Sequence, residues 1–98
     1  MMLRFHCHKP KARSNFIKHG IRFTEGCRIF SGHVLTGPSK QNTQEREPRY
    51  VTIGLLSDQQ AAVVVWTPRD GGIRLISVRV ANRSERERYH AYIKKAVN

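Results

Sequence analysis

Three runs decide the fold: Tyr50-Val51-Thr52-Ile53-Gly54-Leu55-Leu56, Ala61-Ala62-Val63-Val64-Val65-Trp66-Thr67 and Ile73-Arg74-Leu75-Ile76-Ser77-Val78-Arg79-Val80. All three are rich in Val, Ile and aromatic residues, the composition of strands. Only Ser57-Asp58-Gln59-Gln60 parts the first two, and Asp70-Gly71-Gly72 turns the second into the third. Connections this short join antiparallel neighbours, so the stretch predicts a meander. The middle run is almost entirely apolar, as expected of a central strand covered on both faces.

A helix follows. Asn82 and Glu85 have capping-box spacing, and Tyr89, Tyr92, Ile93 and Ala96 recur at i, i+3, i+4 and i+7. That stripe predicts packing on the sheet. Toward the N-terminus, Leu3 and Phe5 alternate with Arg4 and His6 and read as an edge strand. Pro10 suits a first helical position and Gly20 a helix end, predicting a helix from Pro10 to His19. Lys11 and Lys18, two turns apart, form its basic stripe, and Ala12 and Phe16 an apolar one. A second helix is expected after Phe23 with Thr24 as N-cap, carrying Cys27, Ile29 and Phe30. Ser31 to Pro48 is rich in Gly, Pro and Asn and reads as a loop, with a short strand at His33 to Thr36. The loop ends in the charged stretch Gln44-Glu45-Arg46-Glu47-Pro48-Arg49. The expected architecture is a single α+β domain over residues 1–98: an antiparallel β-sheet meander, two N-terminal helices and one C-terminal helix.

Charge narrows the function. The net charge is +11 on 98 residues, with twelve Arg to six Lys. Planar guanidinium forks suit phosphate and carboxylate oxygens better than ammonium does, so the bias points to a phosphate-bearing partner. No apolar run approaches a membrane span and the N-terminus lacks a signal-peptide pattern, so a cytoplasmic chain without membrane contact is expected. Cys7 and Cys27 are expected as reduced thiols. His6-Cys7-His8 with Cys27 and His33 invites a zinc reading but lacks a C-x-x-C or H-x-x-x-H knuckle; no metal or cofactor is expected.

Metal-free RNA cleavage needs a base for the 2′-OH, an acid for the leaving oxygen and cations for the charge on phosphorus. Arg69, Arg74 and Arg79 come from one hairpin and Arg49 from the strand start before it. His19, Glu47 and Tyr89 are the candidate proton-transfer groups, able to meet if helices and loop border the sheet. Lys11, Lys18, Arg49, Arg74 and Arg83 are candidates for contact with RNA phosphates. In a regular strand Arg74 and Arg79, five apart, face opposite sides, and a bulge is needed for both to serve one site. Arg79 is therefore expected at the site and Arg74 at a partner surface or in a salt bridge. Plainer readings stand beside these. Lys18-His19-Gly20 also suits a cationic helix end, Glu47 and Arg49 a cross-strand ion pair, and Tyr89 a core ring.

The order Lys11-Ala12, Asn15, Lys18-His19-Gly20, Phe23, Ile29-Phe30, Glu47-x-Arg49, Ile53-Gly54, Val63-Val64-Val65-x-Thr67-x-Arg69, Ile73-Arg74-Leu75-Ile76-Ser77-x-Arg79-x-Ala81 and Glu85-Arg86-x-x-Tyr89 resembles the BrnT family of bacterial toxins. The resemblance implies a RelE-like fold and a ribonuclease toxin of a type II toxin–antitoxin pair, with a BrnA-like antitoxin as partner. The antitoxin would supply the DNA-binding part, making contact of this chain with DNA indirect. Carried over by position, the family's polar residues are His19, Glu47, Arg49, Arg69, Arg79 and Tyr89. The chain departs from the family at Cys7-His8, where Trp-Asp is common, at Val80, where a second Arg is common, and at Gly26, where another small residue is expected. Two other readings remain: a non-catalytic basic module that binds RNA or the ribosome, and a catalytically weak homologue acting in an autoregulatory complex.

Overall fold

A computed structural model describes residues 3–42 and 46–96. Gln44 and Glu45, within the charged stretch before the sheet, lie outside the described residues. The elements are β1 (Phe5–His6), α1 (Lys9–His19), α2 (Phe23–Arg28), a 3-10 turn (Ile29–Ser31), β2 (Leu35–Pro38), β3 (Tyr50–Leu55), β4 (Ala61–Arg69), β5 (Gly72–Val80) and α3 (Arg83–Ala96). They form an α+β domain with a five-stranded sheet in the order β1-β5-β4-β3-β2. The expected meander is β3 to β5, β2 joins it antiparallel to β3, and β1 adds a parallel edge beside β5, with Phe5 opposite Ile73 and His6 opposite Arg74.

Alternation along the central strand divides the core in two. Ala62 and Val64 face one layer with Ile21, Phe23, Ile29, Leu75 and Val78, and Ala61 and Val63 face the other with Ile53, Ala81 and Tyr89. The α1–α2 segment covers the first face and α3 part of the second. Burying each Val, Leu or Ile stabilises the fold by about 1.5–3 kcal/mol relative to exposure. The rest of the second face stays open.

Strand β5 is not regular. Val65 pairs with Ser77 but Trp66 pairs with Leu75, leaving Ile76 as an extra residue. Leu75 and Val78, three apart, consequently enter the same core. Arg74 pairs with Thr67, which shares its side of β4 with Val63, the partner of Arg79. The bulge thus turns Arg74 onto the face that carries Arg79, and the expectation of opposite faces is corrected.

Inside α1 the inward residue is Asn15, 6% exposed, whereas Phe16 is 45% exposed. Past Arg74, the outer edge of β5 has no strand partner, and Asn15 supplies one. Its Oδ1 accepts the Val78 N–H at 3.0 Å, and its Nδ2 donates to the carbonyls of Val78 at 3.0 Å and Ile21 at 3.2 Å. A side-chain amide here does the work of a peptide group. Gly20 closes the helix in the left-handed region at φ 73°, its N–H donating to the Phe16 carbonyl.

Other boundaries shifted. Helix α2 has Arg22, not Thr24, at its N-cap, with no side-chain cap bond, and β2 begins at Leu35 rather than His33. On α3 the inward stripe is Glu85, Tyr89 and half-buried Ile93, spaced by four, while Tyr92 is 46% exposed.

Candidate functional site

The start of α3 fixes one arginine. Asn82 Oδ1 accepts the Glu85 N–H and Glu85 Oε1 accepts the Asn82 N–H, both at 2.9 Å, the reciprocal capping box expected from their spacing. Held there, Glu85 accepts two further bonds from Arg79: Nη1 to Oε1 at 2.8 Å and Nη2 to Oε2 at 2.7 Å. The hydrogen bonds from Arg79 lower the Glu85 pKa below the usual carboxylate range against the opposing effect of burial, and Asn82 and the nearby charges of Arg79 and Arg88 add to them. The same pair raises the Arg79 pKa. The guanidinium is aimed from two sides, by β5 and by the helix cap, and the Arg79 side chain as a whole is 38% exposed.

It borders a hollow of about 480 Å³ on the open face beside α3. Val51, Ile53, Val63 and Val65 line it with apolar surface, while Lys40, Arg49, Arg79 and Arg88 bring positive charge. Glu85 is the acid among its lining residues, and it is already engaged by Arg79. Arg49 is set by its backbone: Asn42 Oδ1 accepts its N–H at 2.8 Å and Asn42 Nδ2 donates to its carbonyl at 2.9 Å. An apolar floor lowers the local dielectric, which strengthens attraction between the cations and an anionic ligand.

Glu47 pairs with Arg69 at 3.4 Å and accepts from Thr67 at 3.3 Å. The cross-strand pair with Arg49 is therefore replaced by one with Arg69. Arg69 and Arg74 line a smaller hollow, about 180 Å³, with His6, Cys7, His8 and Asp70.

The three expected proton-transfer groups do not meet. Tyr89 is 3% exposed and its hydroxyl donates to the His33 carbonyl at 2.8 Å; burial raises its pKa. That is the environment of a core ring. His19 ends α1 on the opposite layer of the sheet, with Lys11 and Lys18 exposed along the same helix. Glu47 alone borders the open face. Arg83 pairs with Glu87 at 3.1 Å, both largely exposed, and stands outside the hollow's lining.

Lys40 and Arg88 escaped the sequence reading. Arg88 had a signal, since it lies one helical turn beyond Glu85. Lys40 had none, because the loop bends it to the hollow through contacts that no periodicity records. Cys7 and Cys27 are free, and desolvation, with the neighbouring Cys7 second, raises the Cys27 pKa, which disfavours its thiolate. Among the described residues no group of three or more His, Cys, Asp or Glu side chains is placed to hold a metal, and no helix is long and apolar enough to cross a membrane.

The fold has a counterpart among solved structures. The crystal structure of the Brucella abortus ribonuclease toxin BrnT matches with a TM-score of 0.66 at 23% identity, covering 84% of this chain and 100% of that one. At that identity the likeness shows the fold. The family model for "Ribonuclease toxin, BrnT, of type II toxin-antitoxin system" matches residues 8–85. The chain belongs to the BrnT family of type II toxin–antitoxin ribonuclease toxins. No curated protein matches it.

Proposed function

We propose that this chain is the toxin of a type II pair, a metal-independent endoribonuclease that arrests growth by cutting RNA. The observation that carries this is the convergence of Lys40, Arg49, Arg79 and Arg88 on one hollow whose acid, Glu85, is spent on orienting Arg79. In the reaction the ribose 2′-OH attacks the adjacent phosphorus and the bond to the 5′ oxygen breaks, that oxygen taking a proton from solvent water, which leaves a 2′,3′-cyclic phosphate and a 5′-hydroxyl. The N–H edge of Arg79 not used by Glu85, with Arg49 and Arg88, stabilises the added negative charge on phosphorus. Glu47 accepts the 2′-OH proton, with Arg69 orienting its carboxylate. Tyr89 acts as the ring that seats α3, and His19, Lys11, Lys18 and Arg83 contribute to the basic field rather than to the reacting centre.

The partner in this reading is a BrnA-like antitoxin. An apolar floor ringed by cations suits an acidic, amphipathic segment that would compete with RNA. DNA contact is through the antitoxin, and the setting is the cytoplasm. A catalytically weak homologue is the second reading. Val80 favours it, being 45% exposed where the family commonly has an arginine, as does the absence of a histidine from the hollow's lining among the described residues.

The test is incubation of the purified chain with RNA in excess chelator, with end-group analysis of the products. Cyclic-phosphate ends support the proposal. Intact RNA, or cleavage that needs added metal, sinks it.

A further inference from the structure

The smaller hollow, away from Arg79, carries an inference of its own. His6 and Arg74 are register partners on β1 and β5, and Arg69 reaches the same hollow from β4. His6 Nε2 is shut off from solvent and has no hydrogen-bond partner among the described residues. That nitrogen lies away from the accessible hollow, which His6 meets with its other atoms. His8, also in the lining, is the N-cap of α1 and makes no side-chain cap bond, and the first turn of that eleven-residue helix holds no acid. Two arginines and two histidines thus line about 180 Å³, with Asp70 the opposing charge. Oxygen-rich anions satisfy that set of groups.

The two hollows are connected through the fold. The bulge at Ile76 puts Arg74 on the face of Arg79, and the Glu47–Arg69 pair links the chain just before Arg49, which lines the larger hollow, to the smaller one. We propose that the hollow formed by His6, His8, Arg69 and Arg74 is a phosphate-binding subsite for a polynucleotide whose backbone also passes Arg79. This rests on the RNA reading above and adds where a second phosphate is held and by which groups. Phosphate contacts of this kind fix register without reading sequence, so the subsite positions the chain rather than selecting it.

The test uses the full chain labelled with 15N and two probes: inorganic phosphate, and a 2′-O-methyl RNA hexamer that cannot be cleaved because its attacking hydroxyl is blocked. Both are expected to shift the His6 imidazole resonances in the wild type. Arg74→Gln, with its circular dichroism unchanged, is expected to weaken hexamer binding about fivefold to tenfold and to lower the salt dependence by about one counterion. Unmoved His6 signals with either probe, or hexamer binding by Arg74→Gln equal to wild type, overturn the subsite. Shifts with phosphate but not with the hexamer also overturn it, leaving an anion site with no part in polynucleotide binding. A chain that cleaves no RNA yet shows His6 shifts with the hexamer loses the catalytic reading and keeps this one.

Discussion

Arg79 and Glu85 meet fork to fork, Nη1 on Oε1 at 2.8 Å and Nη2 on Oε2 at 2.7 Å, and the same carboxylate accepts the N–H of Asn82, the cap residue of the helix that begins at Arg83. One side chain therefore sets both the direction of a guanidinium and the start of α3. Replacing it tests both. Glu85→Ala is expected to destabilise the chain by about 1–3 kcal/mol in urea denaturation, since a cap and two charge-assisted bonds are lost, with the exposure of Arg79 keeping the effect toward the lower end. RNA binding should weaken in parallel because Arg79 is no longer aimed.

The same pair predicts a pH dependence. Glu85 has a folded pKa below its ordinary value of 4.5, so the folded chain binds fewer protons than the unfolded one in that window. Its stabilisation is complete above about pH 5 and disappears as the pH falls through the lowered value. Denaturation midpoints measured from pH 6 to pH 3 should fall more steeply for the wild type than for Glu85→Gln. Parallel curves would show that this carboxylate does not titrate with folding.

Asn15 joins α1 to the edge of β5 by two hydrogen bonds to Val78, and its nearly buried amide makes a third to the Ile21 carbonyl. Asn15→Leu keeps the branched heavy-atom skeleton but leaves the Val78 N–H and carbonyl unpaired. A loss of about 2–4 kcal/mol is expected, read by urea denaturation. A change below about 0.5 kcal/mol would mean that water replaces the amide at no cost.

Gly26 has no room for a side chain. A Cβ there would stand 2.5 Å from Val78 Cγ2 and 3.2 Å from Leu75 Cδ2, two residues brought to the same side by the bulge. Gly26→Ala is expected to cost about 1–3 kcal/mol through overpacking. Thermal unfolding reads this directly, and an unchanged midpoint would show that the β5 side chains can move aside.

These contacts also explain what the sequence disclosed. The strands β3 to β5 and the α3 cap were readable because hydrophobic runs, short spacers and the Asn82–Glu85 spacing are local signals. The bulge at Ile76 was not, since it depends on Asn15, more than sixty residues away, and on α2 packing against Leu75 and Val78. Strand parity, sound for a regular strand, consequently placed Arg74 on the wrong face. Of the candidate site, Arg79 was legible as an arginine within a strand and Arg49 as one just before a strand. Tyr89 and His19 were drawn toward the site by residue type and by the family resemblance, and the layer each occupies is a property of tertiary packing.

Tyr89→Phe separates a core ring from an acid. Loss of the bond to the His33 carbonyl should lower stability by about 1 kcal/mol and leave RNA cleavage within about twofold of wild type. A hundredfold loss of cleavage with stability intact would restore Tyr89 as a proton donor.

The central claim is that Arg79 stabilises charge at the scissile phosphate. Its most direct measurement is the single-turnover rate of RNA cleavage in chelator by the wild type and by Arg79→Gln, with matched circular dichroism. A rate about a hundredfold lower in the variant is expected, the usual effect of removing one charge-stabilising donor. Equal rates from the two proteins would contradict it.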